Sequence, residues 1–340
     1  MELNYIIAQF LPDVNTQNIT PLGNGLIHQT FLVETSGKSY VLQHINDSIF
    51  EKPDVLVSNH LKVNENLKLN NYKLALAEPI KTIDGQLVFE IEKQFWRVTE
   101  FINGSMTYQK VLSPEMAYNA SEALSYFHYC INSGDKVQLE ESIPGFTNFE
   151  KRFDDFSQGT KKNKPSNRLK NCLEELIFLQ KYMHLGKLWI DLIHNGMPNK
   201  IIHADPKISN ILFDSNQKAI AIIDLDTVLS GPILYDFGDM IRSFTNRLAE
   251  DDISTNDNFD PEIYHAVKEG FLKHSKDILT NLELEHLDYA AKIVVHVQAL
   301  RFLLDYLKGD IYYDVSYEDQ NLNRAKNQIN LLKALIKMDV

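Results

Sequence analysis

The spacing of apolar and polar positions changes once along the chain. In the first hundred residues, short runs rich in β-branched and aromatic side chains are separated by turn residues. Thr30 to Thr35, a turn at Ser36-Gly37, and Ser39 to Ile45 have the pattern of a β-hairpin. Two more strands flank Asp84-Gly85, over Ala77 to Thr82 and Gln86 to Ile91, and a fifth runs from Phe95 to Phe101. One helix fits between, from Pro53 to about Leu69, with proline in its first turn and Asp54 near its positive end. The pattern predicts a small, mostly antiparallel sheet with one helix.

Beyond Asn103-Gly104 the period becomes helical. Ser113-Pro114-Glu115 is a helix start, and Met116, Ala120, Ala123, Leu124, Phe127 and Ile131 follow at helical spacing up to a stop at Gly134. The polar, basic stretch from Gln158 to Lys170 reads as an exposed loop, and Asn171 to His194 as a helix. Two short strands are expected over Lys200 to His203 and Ala219 to Asp224. From Pro261 to Met338 the pattern is helical, broken near Gly309 to Tyr317, while the acidic run from Glu250 to Asp260 reads as a solvated loop. The boundary falls at Ile102-Asn103-Gly104, so residues 1–102 form a β-rich lobe and 103–340 a helical one.

Composition narrows the function classes. The 340 residues are 44% hydrophobic and 24% charged, ordinary for a globular protein, and the length suits two domains. A net charge of −12 disfavours nucleic acid and anionic membranes, which call for a positive surface, and leaves small molecules open. Cys130 and Cys172 form no Cys-x-x-Cys pair, which points to a reducing compartment; with Glu2 near the start and no long apolar run, a soluble cytoplasmic protein is expected. The sequons at Asn18, Asn103 and Asn119 are then chance matches.

The chemistry concentrates in His203-Ala204-Asp205-Pro206-Lys207-Ile208-Ser209-Asn210 and in Ile222-Ile223-Asp224-Leu225-Asp226. Asp205 follows a short strand, with a lysine two residues on. Asp224 ends an apolar strand, where a carboxylate is costly to hide and so faces a cleft. Asn210 and Asp224 offer hard oxygen ligands suited to Mg²⁺, which leaves Asp205 free to accept a proton from a hydroxyl.

The spacing His-x-Asp-x-x-x-x-Asn, then Asp at a strand end, is that of phosphoryl-transferring kinases. The chain resembles the protein-kinase-like phosphotransferases of small molecules, the aminoglycoside phosphotransferase and choline kinase group. Ile223-Asp224-Leu225-Asp226-Thr227-Val228, Tyr235-Asp236-Phe237-Gly238-Asp239-Met240-Ile241-Arg242, Val41 to Asn46 and the tail from Arg301 to Leu322 are similar to the N-acetylhexosamine 1-kinase branch. The resemblance implies an α+β, protein-kinase-like bilobal fold, with a small antiparallel-sheet N-lobe that binds nucleotide and a larger, mainly helical C-lobe with the catalytic loop and acceptor site. It implies ATP and Mg²⁺, with Asp205 as catalytic base, Lys207 on the transferred phosphoryl group, and Asn210 and Asp224 on the metal. It gives Asp226 to the metal or the substrate, makes His203 a structural anchor, and marks Asp236 as distinct from the metal-binding aspartate.

Other positions are less uniform. Gly23 and Gly25 match the start of a glycine-rich phosphate loop, but His28 stands where its third glycine would be. Where such kinases place a phosphate-pairing lysine, this chain has Gln43; His44 follows but points to the opposite face by strand alternation, and Glu65 is the candidate helix partner. Thr99 to Ile102 matches the hinge whose backbone at Glu100 and Ile102 would bond adenine; the alternative is a plain edge strand. Arg242 and Arg301 are candidates for acceptor binding; Arg301, in an apolar helix, either pairs with Asp236 or Asp305 or presents its fork to sugar hydroxyls or an acetamido carbonyl. Trp189 belongs to the core or to a sugar face. Gly37-Lys38-Ser39 lacks the upstream glycine and following helix of a phosphate-binding P-loop, and no His-Glu-x-x-His or Gly-x-Ser-x-Gly occurs.

The reading is an ATP- and Mg²⁺-dependent kinase acting on the anomeric hydroxyl of an N-acetylhexosamine or related sugar. The alternatives are an aminoglycoside, choline or other amino-alcohol kinase, and a nucleotide-binding pseudokinase, the last motivated by Gln43. No nucleic-acid or membrane partner is expected, and the oligomeric state is left open.

Overall fold

The computed structural model describes residues 3–23, 27–162 and 167–338. Helix α1 (Leu3–Phe10) precedes strands β1 (Thr16–Pro21), β2 (Gln29–Thr35) and β3 (Ser39–Ile45); helix α2 (Pro53–Leu69) follows, then β4 (Pro79–Ile80), β5 (Phe89–Ile91) and β6 (Gln94–Glu100). The strands form one antiparallel sheet in the order β1-β2-β3-β6-β4, with β5 also on β6. The hairpin and α2 lie where the apolar pattern places them. Helix α1 and strand β1 had no counterpart in that pattern, and the two strands expected beside Asp84-Gly85 shrink to β4 and β5.

Alternation gives the sheet two different faces. Leu42 of β3 and Trp96 and Val98 of β6 pack with Ile6, Ile7 and Phe10 of α1. Ile45 faces the other way, onto Phe50, Leu56 and Val57 at the start of α2. Gln43 and Arg97, opposite one another in the β3–β6 ladder, share that second face.

The helical part begins with α3 (Pro114–Asn132), whose Ser113 hydroxyl accepts the Met116 N–H. Next come α4 (Phe149–Lys162), α5 (Asn167–Asn171), α6 (Leu173–Lys181) and α7 (His184–His194). The region expected as a loop over 158–170 is therefore helical where it is described, and the single helix expected over 171–194 is two, broken near Tyr182-Met183. A polar helix end carries little apolar periodicity, which is why α4 and α5 escape the pattern. Short strands β7 (Lys200–Ile202), β8 (Ile211–Phe213), β9 (Ala219–Ile222) and β10 (Leu229–Gly231) form two small antiparallel ladders, β7 with β10 and β8 with β9.

Helices α8 (Leu234–Phe244), α9 (Pro261–Ser275), α10 (Asn281–Glu285), α11 (Leu287–Lys308) and α12 (Gln320–Lys337) complete the chain. Helix α11 is apolar nearly all round because it is buried among its neighbours. Gly238 lets α8 lie directly on it: a Cβ there would stand 2.6 Å from the Ala290 carbonyl oxygen. No helix among the described residues is long and apolar enough to cross a membrane.

Candidate active site

The loop after β7 is held from below by one carboxylate. Asp236, in the first turn of α8, accepts the backbone N–H of His203 (2.7 Å) and of Ala204 (2.8 Å) and bonds the ring of His128 (2.8 Å). Asp236 is fully buried, so these bonds compensate its desolvation and pin the loop's entry. Both nitrogens of His203 are used: Nε2 bonds the Ile223 carbonyl oxygen at 3.0 Å and Nδ1 accepts the Asp205 N–H at 3.3 Å. Both residues hold the loop through these bonds.

Asp205 projects from the loop with one oxygen engaged. Its Oδ2 accepts Lys207 Nζ at 2.7 Å and Asn210 Nδ2 at 3.2 Å; its Oδ1 accepts no hydrogen bond among the described residues. Burial lowers the Lys207 ammonium, but Asp205 and Asp224 outweigh it and raise the pKa, so this lysine stays charged. The Ile223 N–H donates to the Asn210 carbonyl at 2.9 Å and so brings Asp224 beside the loop. Asp224 has left-handed backbone, φ +62°, and its half-buried carboxylate accepts no hydrogen bond and makes no ion pair among the described residues. Burial, and then the neighbouring Asp226, push its pKa up.

Asn210 and Asp224 together suit Mg²⁺. The Asn210 amide nitrogen is spent on Asp205, which leaves its oxygen as a donor beside the unpaired Asp224 carboxylate. No cluster of three His, Cys, Asp or Glu ligands occurs among the described residues. The protein would thus supply two oxygens and leave the rest of the shell to phosphate and water, the way Mg²⁺ is commonly held.

Asp226 has a different environment from the one its position suggests. Arg97 grips it bidentately at 2.6 and 2.7 Å, and His28 Nε2 meets it at 2.8 Å. Burial pushes its carboxyl up, but Arg97 and His28 outweigh that and hold it well below the usual carboxylate range. Both oxygens of Asp226 are thus engaged within the protein, an arrangement the sequence did not suggest. Gln43 is similarly occupied: its Oε1 accepts Arg97 Nε at 2.9 Å and its Nε2 donates to Thr30 Oγ1 at 3.1 Å. His44 lies on the opposite sheet face, against Trp96 at 4.9 Å, and Glu65 is exposed on α2. Neither joins this group, so the cation beside Gln43 is Arg97.

A small cavity of about 10 Å³ is lined by Phe146, Phe149, Arg152, Tyr235, Asp239 and Arg301, among others; Asp205 is not on its wall. Asp205 is near enough to act electrostatically on both Tyr235 and Asp239. Arg301 makes one hydrogen bond, to Gln298 Oε1 at 3.0 Å, and lies over the rings of Tyr312 and Tyr313. It pairs with neither Asp236 nor Asp305: Asp305 instead accepts the N–H groups of Ile311, Tyr312 and Tyr313, which shapes the loop carrying those rings. Arg152 makes no ion pair within 4 Å among the described residues; burial and the nearby Arg301 lower its pKa, with Asp155 acting only at a distance. Arg242 is not on the pocket wall. It pairs with Asp239 at 2.6 Å and Glu250 at 3.8 Å. Trp189 is buried behind Phe149, ring centroids 5.0 Å apart, as a core residue.

At the sheet edge, the Glu100 N–H is used by the Glu78 carbonyl at 2.9 Å, and the Ile102 N–H has no partner among the described residues. Gly23 has φ +70° with open space around it; Gly25 lies outside the described residues. Sequence reasoning missed Arg97, His28, Arg152 and Asp239. An arginine amid the apolar run Trp96 to Phe101 was a signal for Arg97; Arg152, on a polar helix, had none.

A family model described as "Phosphotransferase enzyme family" matches residues 18–268, well over half of the chain. The chain is similar in structure to an aminoglycoside phosphotransferase from Alicyclobacillus acidocaldarius, with a TM-score of 0.67 and 15% identity over 99% of this chain and 96% of that one. It is similar to a microcompartment-associated aminopropanol kinase, with a TM-score of 0.66 and 15% identity over 99% and 98%. It also resembles a spectinomycin phosphotransferase in complex with ADP and spectinomycin, with a TM-score of 0.60 and 13% identity over 96% and 94%. These likenesses show the protein-kinase-like fold, an antiparallel-sheet N-lobe on a helical C-lobe.

Proposed function

The chain belongs to the phosphotransferase enzyme family, and from that premise we propose that it is an ATP- and Mg²⁺-dependent kinase that phosphorylates a sugar hydroxyl, the anomeric hydroxyl of an N-acetylhexosamine or related sugar. The observation that carries the proposal is Asp205 with one carboxylate oxygen held by Lys207 and Asn210 and the other unbonded among the described residues, in a loop that a backbone bond joins to the strand end before Asp224. Nucleotide is placed in the cleft between residues 1–102 and 103–340, its adenine on the backbone of Glu100 and Ile102.

In this reading the unbonded Oδ1 of Asp205 accepts the acceptor hydroxyl's proton, orienting its oxygen for in-line attack. Lys207, tethered to the same carboxylate, places a fixed charge where negative charge gathers on the transferring phosphoryl group. Asn210 and Asp224 would hold Mg²⁺, which supplies charge neutralisation to the nucleotide phosphates when bound. The intact set argues against a pseudokinase.

The pocket favours a sugar over a cationic acceptor. Among the described residues, Arg152 and Arg301 have no carboxylate partner within 4 Å, and the acid on the cavity wall, Asp239, is paired with Arg242. Two guanidinium groups repel choline or an aminoglycoside and offer forks to hydroxyl and carbonyl oxygens. The aromatic rings of Phe146, Phe149 and Tyr235 suit the C–H face of a sugar ring.

ATP consumption across N-acetylhexosamines, hexoses, aminoglycosides and choline tests the acceptor class, with phosphorus NMR to locate the phosphate. Turnover is expected with an N-acetylhexosamine and product phosphate on C1; Asp205→Asn should cut turnover by about 10³-fold or more while nucleotide still binds. Near-wild-type turnover in Asp205→Asn, or use of choline or an aminoglycoside alone, would sink the proposal.

A further inference from the structure

We propose that Arg97 and Asp226 form a clamp across the cleft that positions Asp224 for metal-bound nucleotide, a coupling that Gln43 leaves without a strand lysine. The inference rests on the reading of Asp224 as a metal ligand. Arg97 stands in the middle of β6, on the sheet face turned toward α2. Asp226 belongs to the Leu225–Thr227 turn, two residues past Asp224. The guanidinium therefore joins the nucleotide-side sheet to the turn that carries the proposed metal ligand, and both side chains are buried.

Every other atom of the cluster fixes the same geometry. Gln43 takes Arg97 Nε and is itself held by Thr30, so the arginine's plane is set from within the sheet. His28 bonds Asp226 through Nε2 and accepts the Asn46 N–H through Nδ1 at 3.1 Å, while its ring stacks on Phe50 at 5.2 Å. His28 directly precedes β2, so one carboxylate ties the start of that strand as well. Around the turn, the Asp226 carbonyl accepts the Ser142 hydroxyl at 2.6 Å, and Thr227 donates to the His203 carbonyl at 2.9 Å.

A buried ion pair is a poor way to gain stability, because desolvation offsets most of the attraction. It is an effective way to fix register between two elements. Asp224 sits at a left-handed residue, φ +62°, directly before the turn that carries Asp226, so the orientation of that turn bears on where its carboxylate lies. Arg97 and Asp226 are thus positioning residues: they touch neither nucleotide nor acceptor, and act through Asp224.

Calorimetric binding of MgADP and of metal-free ADP separates positioning from support. The variants are Arg97→Met, Arg97→Lys and the double change Arg97→Met with Asp226→Leu, which replaces the ion pair with apolar contact and leaves no stranded charge. The double variant is expected to fold and to bind MgADP at least tenfold more weakly, with metal-free ADP unchanged within twofold; Arg97→Lys should fall between it and wild type. If the double variant binds MgADP as wild type does, or weakens both ligands equally, the clamp only supports the fold and the proposal is overturned. Asp224→Asn is the parallel control: if it binds MgADP normally, the metal role of Asp224 fails and the clamp's function with it. A weakened Asp224→Asn beside a normal double variant would sink the clamp alone.

Discussion

Two arginine sites of the molecule contrast: Arg97 is buried and saturated, whereas Arg301 and Arg152 are half-buried and are not. Arg97 has both ends of its fork on one carboxylate and its Nε on Gln43. Among the described residues, Arg301 and Arg152, on the cavity wall, share no carboxylate, and Arg301 meets the Gln298 amide oxygen and two tyrosine rings. The difference separates two uses of one side chain. A guanidinium with its charge matched inside the protein holds elements together; one kept half-buried beside a second of like charge, with donors facing a pocket, is placed for contact with something other than the fold. The same contrast divides the acids, since Asp226 is fully engaged and Asp224 is bare.

The largest effect should come from stranding a charge on the closed side. Arg97→Met leaves Asp226 buried with only the His28 ring beside it and should cost about 3–5 kcal/mol of stability. Arg301→Met strands nothing and should change stability by no more than about 1 kcal/mol. Urea midpoints of the two variants, measured side by side, check this; equal shifts would mean that the two sites are not built differently.

The closed side should also show in the pH dependence of stability. His60 of α2 lies near Arg97, and burial, then Arg97, push its pKa down to about 4 from 6.5. Between those values the unfolded chain binds a proton that the folded chain refuses, so stability rises with pH across the window. It is present above pH 6.5 and lost as pH falls toward 4, on the order of 3 kcal/mol from this residue. His296, buried on α11 and also pushed down to about 4, adds a loss of the same sign. Urea midpoints at pH 7, 5.5 and 4.5 should therefore fall steeply, and less steeply in His60→Gln. Parallel profiles would remove His60 from the account.

On the open side the effect should be smaller and confined to the acceptor. Arg301→Met or Arg152→Met should raise acceptor KM about tenfold to a hundredfold, the loss of a hydrogen bond to a charged donor, with nucleotide KM unchanged. A rise in nucleotide KM instead would mean that these arginines serve the cleft rather than the pocket.

This contrast marks where the sequence was legible. The hairpin, α2, α3 and the short strands around Asp205 and Asp224 follow from local periodicity and capping, and the loop motif follows from spacing within one stretch of chain. The reading of Asp236 and His203 as non-ligands came instead from the family resemblance. The pairing of Arg97 with Asp226, 129 residues away, could not, because no local pattern encodes which carboxylate a strand arginine meets. That pairing commits Asp226 and Gln43 to contacts within the protein that the sequence did not suggest. Arg152 was hidden for the opposite reason: on α4, a charged residue looks like solvent-facing surface until the fold turns it toward Arg301.

The smallest expected effect is the sharpest check on this division. Protein kinases pair their strand lysine with a helix glutamate. If this chain kept any form of that pair, Glu65 of α2 would be its acid. In the structure Glu65 is exposed, while the α2 residue set near the Arg97–Asp226 pair is His60, kept neutral by burial. Glu65→Ala should therefore leave stability within about 0.5 kcal/mol of wild type, as for other solvent-facing substitutions. Its kcat and nucleotide KM should stay within about twofold, the rate equivalent of that free energy. A tenfold loss of kcat with normal stability would place the helix acid back at the phosphates and would make the clamp an addition to the kinase pair rather than its replacement.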